Sequence, residues 1–393
     1  MSRSPTIHSR KYSPSKSSTW LNCPLSTLLN DGSSQETNPQ AEFGTQCHEL
    51  GAALIGQSLN LIDYDSELKP IEEVIKDLDM YSEEMQEIAD GYADFVIQTI
   101  EFDKKRTDTE PLIVIEQHLD MDFDDDAGGT LDCGIISSLG GGTLTVIDLK
   151  TGRTPVYAFD SESGLFNSQL GIYALYFYKS YKDLYPIKKI RLVIYQPVIN
   201  NTNDYEMPIE ELLQFESNVL VPAVKRTKVE NPEAHPGKYC RYCAGKAICA
   251  KRAEANKLVM QALKKPVSTM IDADIEALLP HLDEVIQYAK DVMEFAIKKA
   301  LNGHKWSKYK LVHTKGSRKI TDEEGVIKAC EQVGIDPYAT KKVAGITELT
   351  KRIGKSKVDA LIGAYINMQL GSLVLVPKSD PREEANIIEE GDK

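Results

Sequence analysis

Apolar and polar positions follow two different periods along this chain, and the changes between them outline its architecture. From 70 to 104, Ile71, Val74, Ile75, Leu78, Met85, Ile88, Tyr92, Phe95, Val96 and Ile100 recur at the spacing of an amphipathic helix. Shorter runs rich in β-branched residues then predict strands over 111–120, 128–136 and 143–149. The glycines at 140–142 predict a hairpin turn between the second and third. Helical spacing returns after 167, with Leu170, Tyr173, Ala174 and Phe177 on one face, and 188–197 reads as a further strand. Helices are also predicted at 17–24, with Ser or Thr as cap, and from Gly44 through Ile55. Helix, three strands, helix and strand in that order define an α/β protein.

Beyond this core the pattern predicts a long amphipathic helix over 270–302 and a strand pair over 305–319. Small helical segments follow at 322–333, 346–355 and 355–364, then a strand at 372–377. The domain expectation is a flexible arm at 1–16, a main domain at 17–255, a helical or α+β accessory domain at 256–380 and an acidic disordered tail at 381–393. A length of 393 residues, 41% hydrophobic and 27% charged, describes an ordinary globular chain. No apolar run approaches a membrane span, and the first residues lack the apolar stretch of a signal peptide. A cytoplasmic location with no membrane partner is therefore expected. The net charge of -13 argues against a passive nucleic-acid coat.

Two groups of residues carry candidate chemistry. Asp132 and Asp148 lie on neighbouring predicted strands, and Lys150 stands two residues beyond Asp148, on the same face. Carboxylates of this kind hold a hard divalent cation such as Mg2+ or Mn2+, and a lysine beside them orients or deprotonates water. The second group is Cys240, Cys243 and Cys249, with Cys23 more than two hundred residues earlier. Seven cysteines, an odd number, in a chain without a secretion signal favour a metal site over disulfides. Four thiolates suit either zinc or a [4Fe–4S] cluster. Cys47 and Cys133 read as small packed residues.

In Asp132, Asp148-Leu149-Lys150 and Gln169-x-x-x-Tyr173, the chain resembles the PD-(D/E)XK nuclease superfamily, in its RecB-, AddB- and Cas4-like exonuclease branch. The resemblance covers about residues 17–255 and implies a restriction-endonuclease-like core, a central mixed sheet flanked by helices. It implies metal ligation by His48, Asp132, Asp148 and the Leu149 carbonyl, and catalytic roles for Asp132, Asp148, Lys150, Gln169 and Tyr173. Glu116 is a further metal-associated carboxylate on this reading, and His118 a weaker candidate. The one-plus-three cysteine layout resembles the iron–sulfur staple of the same branch, with a structural [4Fe–4S] cluster on Cys23, Cys240, Cys243 and Cys249 and zinc as the alternative occupant. Basic residues around it, Lys228, Lys246, Lys251 and Arg252 among them, are expected to meet phosphates. The implied activity is metal-dependent exonuclease cleavage of single-stranded or end-bearing DNA, in phage or prophage recombination or replication in a bacterial host cell, with a helicase or recombinase as a possible partner. The competing expectations are a catalytically silent DNA-binding scaffold that keeps the fold and the cluster, and a zinc-stabilised interaction protein.

Overall fold

The structure is a computed structural model that describes residues 11–30, 39–62, 68–137 and 142–310. The expected turn at 138–141, the first ten residues of the arm, the elements beyond 310 and the acidic tail lie outside the described residues. The expected strand runs pair into one sheet. Its members are β1 (Leu112–Asp120), β2 (Gly128–Ser137), β3 (Thr143–Leu149), β6 (Lys189–Gln196) and β7 (Asn201–Pro208), in the order β1-β2-β3-β6-β7. A two-stranded ribbon, β4 (Phe159–Asp160) with β5 (Leu165–Phe166), stands apart from it. Only β3 and β6 run parallel, and the helix α6 (Ser168–Tyr181) makes the crossover between them. The result is a mixed α/β fold whose central sheet is covered by helices.

Both faces of the sheet are apolar, so both need cover. One face presents Cys133, Ile135, Ile147, Leu149 and Val193 to α3 (Pro39–Ser58) and α5 (Glu83–Thr107). The other presents Leu144, Val146, Ile190, Leu192 and Ile194 to α6, which fills the space with Leu170, Ala174 and Phe177. The helical pattern predicted without interruption over 70–104 is broken into α4 (Ile71–Asp77) and α5, because the Ser82 hydroxyl accepts from Met85 N at 3.2 Å and caps a new helix. The strand β7 had no predicted counterpart. Its sequence is largely polar and its side chains alternate between half-buried and exposed, as suits an edge strand whose only strand partner is β6.

Residues 11–16 are packed, where a flexible arm is expected. Tyr12 is fully buried, bridges Ala127 through its backbone, and places its hydroxyl 2.6 Å from Thr227 Oγ1. The Trp20 indole, from α1 (Ser17–Trp20), donates to the Ser13 carbonyl at 3.0 Å and meets the Tyr12 ring edge-on. After α2 (Ser26–Asn30), α7 (Ile209–Phe215) and α8 (Val221–Thr227), the helix α9 (Ala250–Ala262) packs on α10 (Asp272–Leu301). The chain divides into two units at Ser307, so the first unit includes α10 and extends beyond the expected boundary at 255.

Gly142 joins the starts of β3 and β6. Its carbonyl accepts from Lys188 N and Lys189 N, its φ is +40°, and an added Cβ would sit 2.2 Å from the Pro186 carbonyl oxygen. Gly142→Ala therefore combines a left-handed backbone with a backbone clash. It is expected to destabilise the protein by about 2 kcal/mol or more, read as a lower urea midpoint at an unchanged slope.

Candidate metal centre and cysteine cavity

Backbone geometry in β1 and β2 brings the acidic group together. Ile113 and Ile115 face α3 and α5, yet Leu119 joins the opposite core, and in β2 Cys133 and Leu131 are split in the same way. Residues an even number apart on a strand normally share a face. The pleat changes where Glu116 lies opposite Asp132, a point flanked by the pairs Ile115↔Cys133 and Gln117↔Leu131. Glu116 has a φ of 49°, a left-handed conformation that a non-glycine residue in a strand adopts only under constraint.

From α3, the His48 imidazole enters the same space. Its Nδ1 lies 3.2 Å from Asp132 Oδ2 and 3.9 Å from Glu116 Oε1. Among the described residues, His48, Glu116 and Asp132 form the group of three His, Cys, Asp or Glu donors that converge within 4.8 Å. Glu116 Oε1 is buried and accepts no hydrogen bond. Gly44 allows the close approach of α3: a Cβ there would stand 2.9 Å from Thr151 Oγ1, one residue past Lys150.

A second set of contacts lies on β3 and α6. Asp148 is buried, with Oδ1 accepting from Gln169 Nε2 at 2.8 Å and Oδ2 at 2.7 Å from Lys150 Nζ. Lys150 Nζ also donates to Gln169 Oε1 at 3.2 Å, which closes a triangle of three side chains. Asn167 caps α6 by accepting from Gln169 N and Leu170 N, and so fixes the start of the helix that carries Gln169. The Leu149 N–H donates to Asp132 Oδ2 at 2.9 Å and links this triangle to the first group. Tyr173 is buried one turn along α6, packed so closely that a Cβ on Gly129 would meet its hydroxyl at 2.9 Å.

The electrostatics fit a site short of positive charge. Burial, then the Asp132 charge, pushes Glu116 up to about 8, although His48 opposes the rise. Burial disfavours the His48 imidazolium, but the Asp132 carboxylate and its hydrogen bond, with Glu116 and Asp148 behind, hold it up at about 9. Burial raises Asp148 above the usual carboxylate range, against the pull of Lys150. Burial alone would raise Asp132, yet His48 keeps it below that range. Lys150 loses hydration, but Asp148 and Asp132 outweigh that loss and hold its pKa above the ordinary lysine value.

The fold therefore brings His48, Glu116 and Asp132 into one group and Asp148, Lys150 and Gln169 into another, joined through Leu149. His118 pairs instead with Asp120 at 3.2 Å. Tyr92 adds a residue whose chemistry the helical pattern conceals, since it occupies an ordinary core position of α5. Its buried hydroxyl has no partner, and burial followed by the charges of Cys133, Asp132 and Glu116 keeps the phenol well above its ordinary value. The only sequence signal was a tyrosine where leucine or phenylalanine would fill the core.

The four cysteines singled out by spacing line one small cavity with Thr19, His235, Lys246 and Arg252. The backbone N–H of His235 points to Cys23 Sγ at 3.4 Å, and that of Gly237 to Cys240 Sγ at 3.3 Å. Cys249 immediately precedes α9. Burial pushes the Cys243 thiol up to about 11, partly offset by the Gly245 backbone. The thiols are spread more widely than the His48 group, for no three of them converge within 4.8 Å. The surrounding bases differ among themselves, and four of them are engaged within the fold. Lys228, Lys246 and Lys251 pair with acidic side chains, and Arg252 is fully buried. Among the described residues no helix is long and apolar enough to cross a membrane.

A family model described as "Protein of unknown function (DUF2800)" matches residues 8–383. A solved structure titled "Crystal structure of SSO0001" is similar at 16% identity over 53% of this chain and 84% of its own, with a TM-score of 0.22. So low a structural score supports no inference about this chain.

Proposed function

This chain belongs to the DUF2800 family, and we propose that it is a metal-dependent deoxyribonuclease of the PD-(D/E)XK class that degrades DNA from free ends. The observation that carries the reading is the buried convergence of His48 Nδ1, Glu116 Oε1 and Asp132 Oδ2 next to the Asp148–Lys150–Gln169 triangle. A buried carboxylate oxygen without a hydrogen bond is costly unless something positive meets it. The donor set, one imidazole and carboxylates, would suit Mg2+ or Mn2+, with Asp148 and the Leu149 carbonyl as the further ligands that the resemblance implies.

When bound, the metal supplies a Lewis acid that activates water and neutralises phosphate charge. His48, Glu116 and Asp132 would hold it. Lys150, kept cationic by Asp148 and Asp132, orients the water and meets the charge that develops on the phosphate oxygens. Gln169 bonds both the Asp148 carboxylate and the Lys150 ammonium and fixes the pair in place, so neither needs to reorganise. Tyr173 packs beneath the site and steadies α6. Attack from free ends, single-stranded substrate, a phage recombination or replication setting and a helicase or recombinase partner follow from the resemblance described above.

The cysteine cavity fits a [4Fe–4S] cluster better than zinc. A tetrahedral zinc ion with bonds of about 2.3 Å draws its thiolates close together, whereas these thiols are set wider apart. Backbone N–H groups aimed at the sulfurs of Cys23 and Cys240 suit metal-bound thiolates, and the one-plus-three layout of the resemblance favours the cluster. The cluster would join the segment around Cys23 to the segment 240–249.

The test is degradation of end-labelled linear and closed circular DNA by anaerobically purified protein with Mn2+. Loss of the linear label alone is expected, and it should cease in Asp148→Asn. Intact DNA in the presence of folded, metal-loaded protein would transfer the assignment to a DNA-binding scaffold.

A further inference from the structure

We propose that Arg252 is an internal hydrogen-bond donor to the thiolate-bound centre in the cysteine cavity, and that through it the occupant of the cavity holds α10 on the body of the protein. The inference rests on the reading of that cavity as a cofactor site, and its test is independent of DNA cleavage.

Arg252 is fully buried. Its Nε donates to Glu284 Oε1 at 2.6 Å, and its Nη1 donates to Asp291 Oδ2 at 2.6 Å and to the Lys246 carbonyl at 2.8 Å. Its Nη2 is buried and has no acceptor. A guanidinium is always charged and presents its donors in a fixed planar fork, so it cannot relieve the deficit by losing a proton. An unmet N–H on a buried cation is among the costliest of unpaired polar groups. The same residue lines the cavity formed by Cys23, Cys240, Cys243 and Cys249. Metal-bound thiolates are strong acceptors, and they supply the lone pairs that Nη2 lacks.

The other ends of the fork lead to α10. Glu284 and Asp291 both belong to this helix, and Asp291 is 1% exposed. Lys246, a second cation lining the cavity, contacts Asp291 Oδ1 at 3.2 Å and Glu294 Oε2 at 3.1 Å. The Tyr288 ring covers the guanidinium at 5.3 Å. The helix thus docks by a charged face of Glu284, Tyr288, Asp291 and Glu294, while Ile286, Met293 and Ile297 stay exposed. Docking of this kind depends on the charge balance around Arg252 far more than a docked apolar face would.

The experiment is hydrogen exchange on the full chain, with its cofactor and after anaerobic removal of it, with iron and acid-labile sulfide measured on the same samples. Cofactor removal is expected to speed exchange over residues 272–301 about tenfold and to leave β3 and β6 unchanged. With the cofactor bound, Arg252→Lys should show the same fast exchange in α10 and a lower midpoint potential, because a donor to sulfur is lost. Asp291→Asn gives a milder version should the lysine variant fail to fold. Equal protection of α10 with and without bound iron, or an unchanged potential in Arg252→Lys, would overturn the coupling. Purified protein with a protected α10 and no metal would overturn both the coupling and the cofactor reading.

Discussion

Replacing Lys150 by methionine is expected to slow metal-dependent DNA degradation about a thousandfold while Mn2+ still binds. Lys150 Nζ lies 2.7 Å from Asp148 and 3.2 Å from Gln169 Oε1, and it is not one of the three converging donors His48, Glu116 and Asp132. Its loss removes the cation that meets charge on the phosphate and leaves the donor set in place. Methionine matches the length and keeps the apolar stem packed. The buried Asp148 loses its ion pair but keeps the hydrogen bond from Gln169 Nε2 at 2.8 Å. The discriminating measurements are the single-turnover rate at saturating Mn2+ and calorimetric Mn2+ binding. A variant that loses both in equal measure would place Lys150 in metal retention rather than in chemistry.

Metal-free protein is expected to lose stability as pH rises, and Mn2+ is expected to restore most at the alkaline end. Glu116 titrates at about 8 in the fold against 4.5 when free. The folded state therefore holds more protons than the unfolded one between those values, and stability falls as pH climbs through that window. His48, at about 9 against 6.5, adds a loss over the higher range. Both slopes have the same sign. The melting temperature of chelator-treated protein should drop by about 5 °C or more between about pH 6 and pH 9. A divalent cation needs the Glu116 carboxylate ionised and the imidazole neutral, so its stabilisation should grow over the same interval. Glu116→Gln should remove the first slope and weaken Mn2+ binding about tenfold or more. A melting temperature that rises with pH in the metal-free protein would contradict the group as described.

Much of this arrangement was legible before any coordinates. The spacing of Asp148 and Lys150 on a strand, with Gln169 at the start of the following helix, needs only the two-residue and 3.6-residue periods and the hairpin between β2 and β3. Those are local properties, and the three side chains do meet. Glu116 was visible only as an acidic residue at the end of a strand. Its part in the site depends on the left-handed backbone that turns it toward Asp132, and no pattern of residue types announces a φ of 49°. The edge strand β7 was hidden because only Tyr205 and Met207 reach the core, too few to make an apolar alternation. The packing of Tyr12 was hidden for the opposite reason. A Ser- and Pro-rich segment looks disordered until a partner 215 residues away, Thr227, is known to receive it. Arg252 read as a surface base because the acids that bury it, Glu284 and Asp291, come from a helix thirty or more residues further on.

The N-terminal segment meets the far end of the first unit at several points: Tyr12 with Thr227, the Leu21 carbonyl with Arg226, and Cys23 with the His235 backbone. The contacts with Arg226 and Thr227 cannot form until those residues have been made, nor the third before His235, and closure of so long a loop is set by its length rather than by local preference. A fragment that stops before Cys240 offers the cavity one thiol of four, and one that begins after Cys23 offers three. A metal centre bound through all four would thus be a mark of completeness, since it could assemble only when the segments around Cys23 and 240–249 are both present and joined.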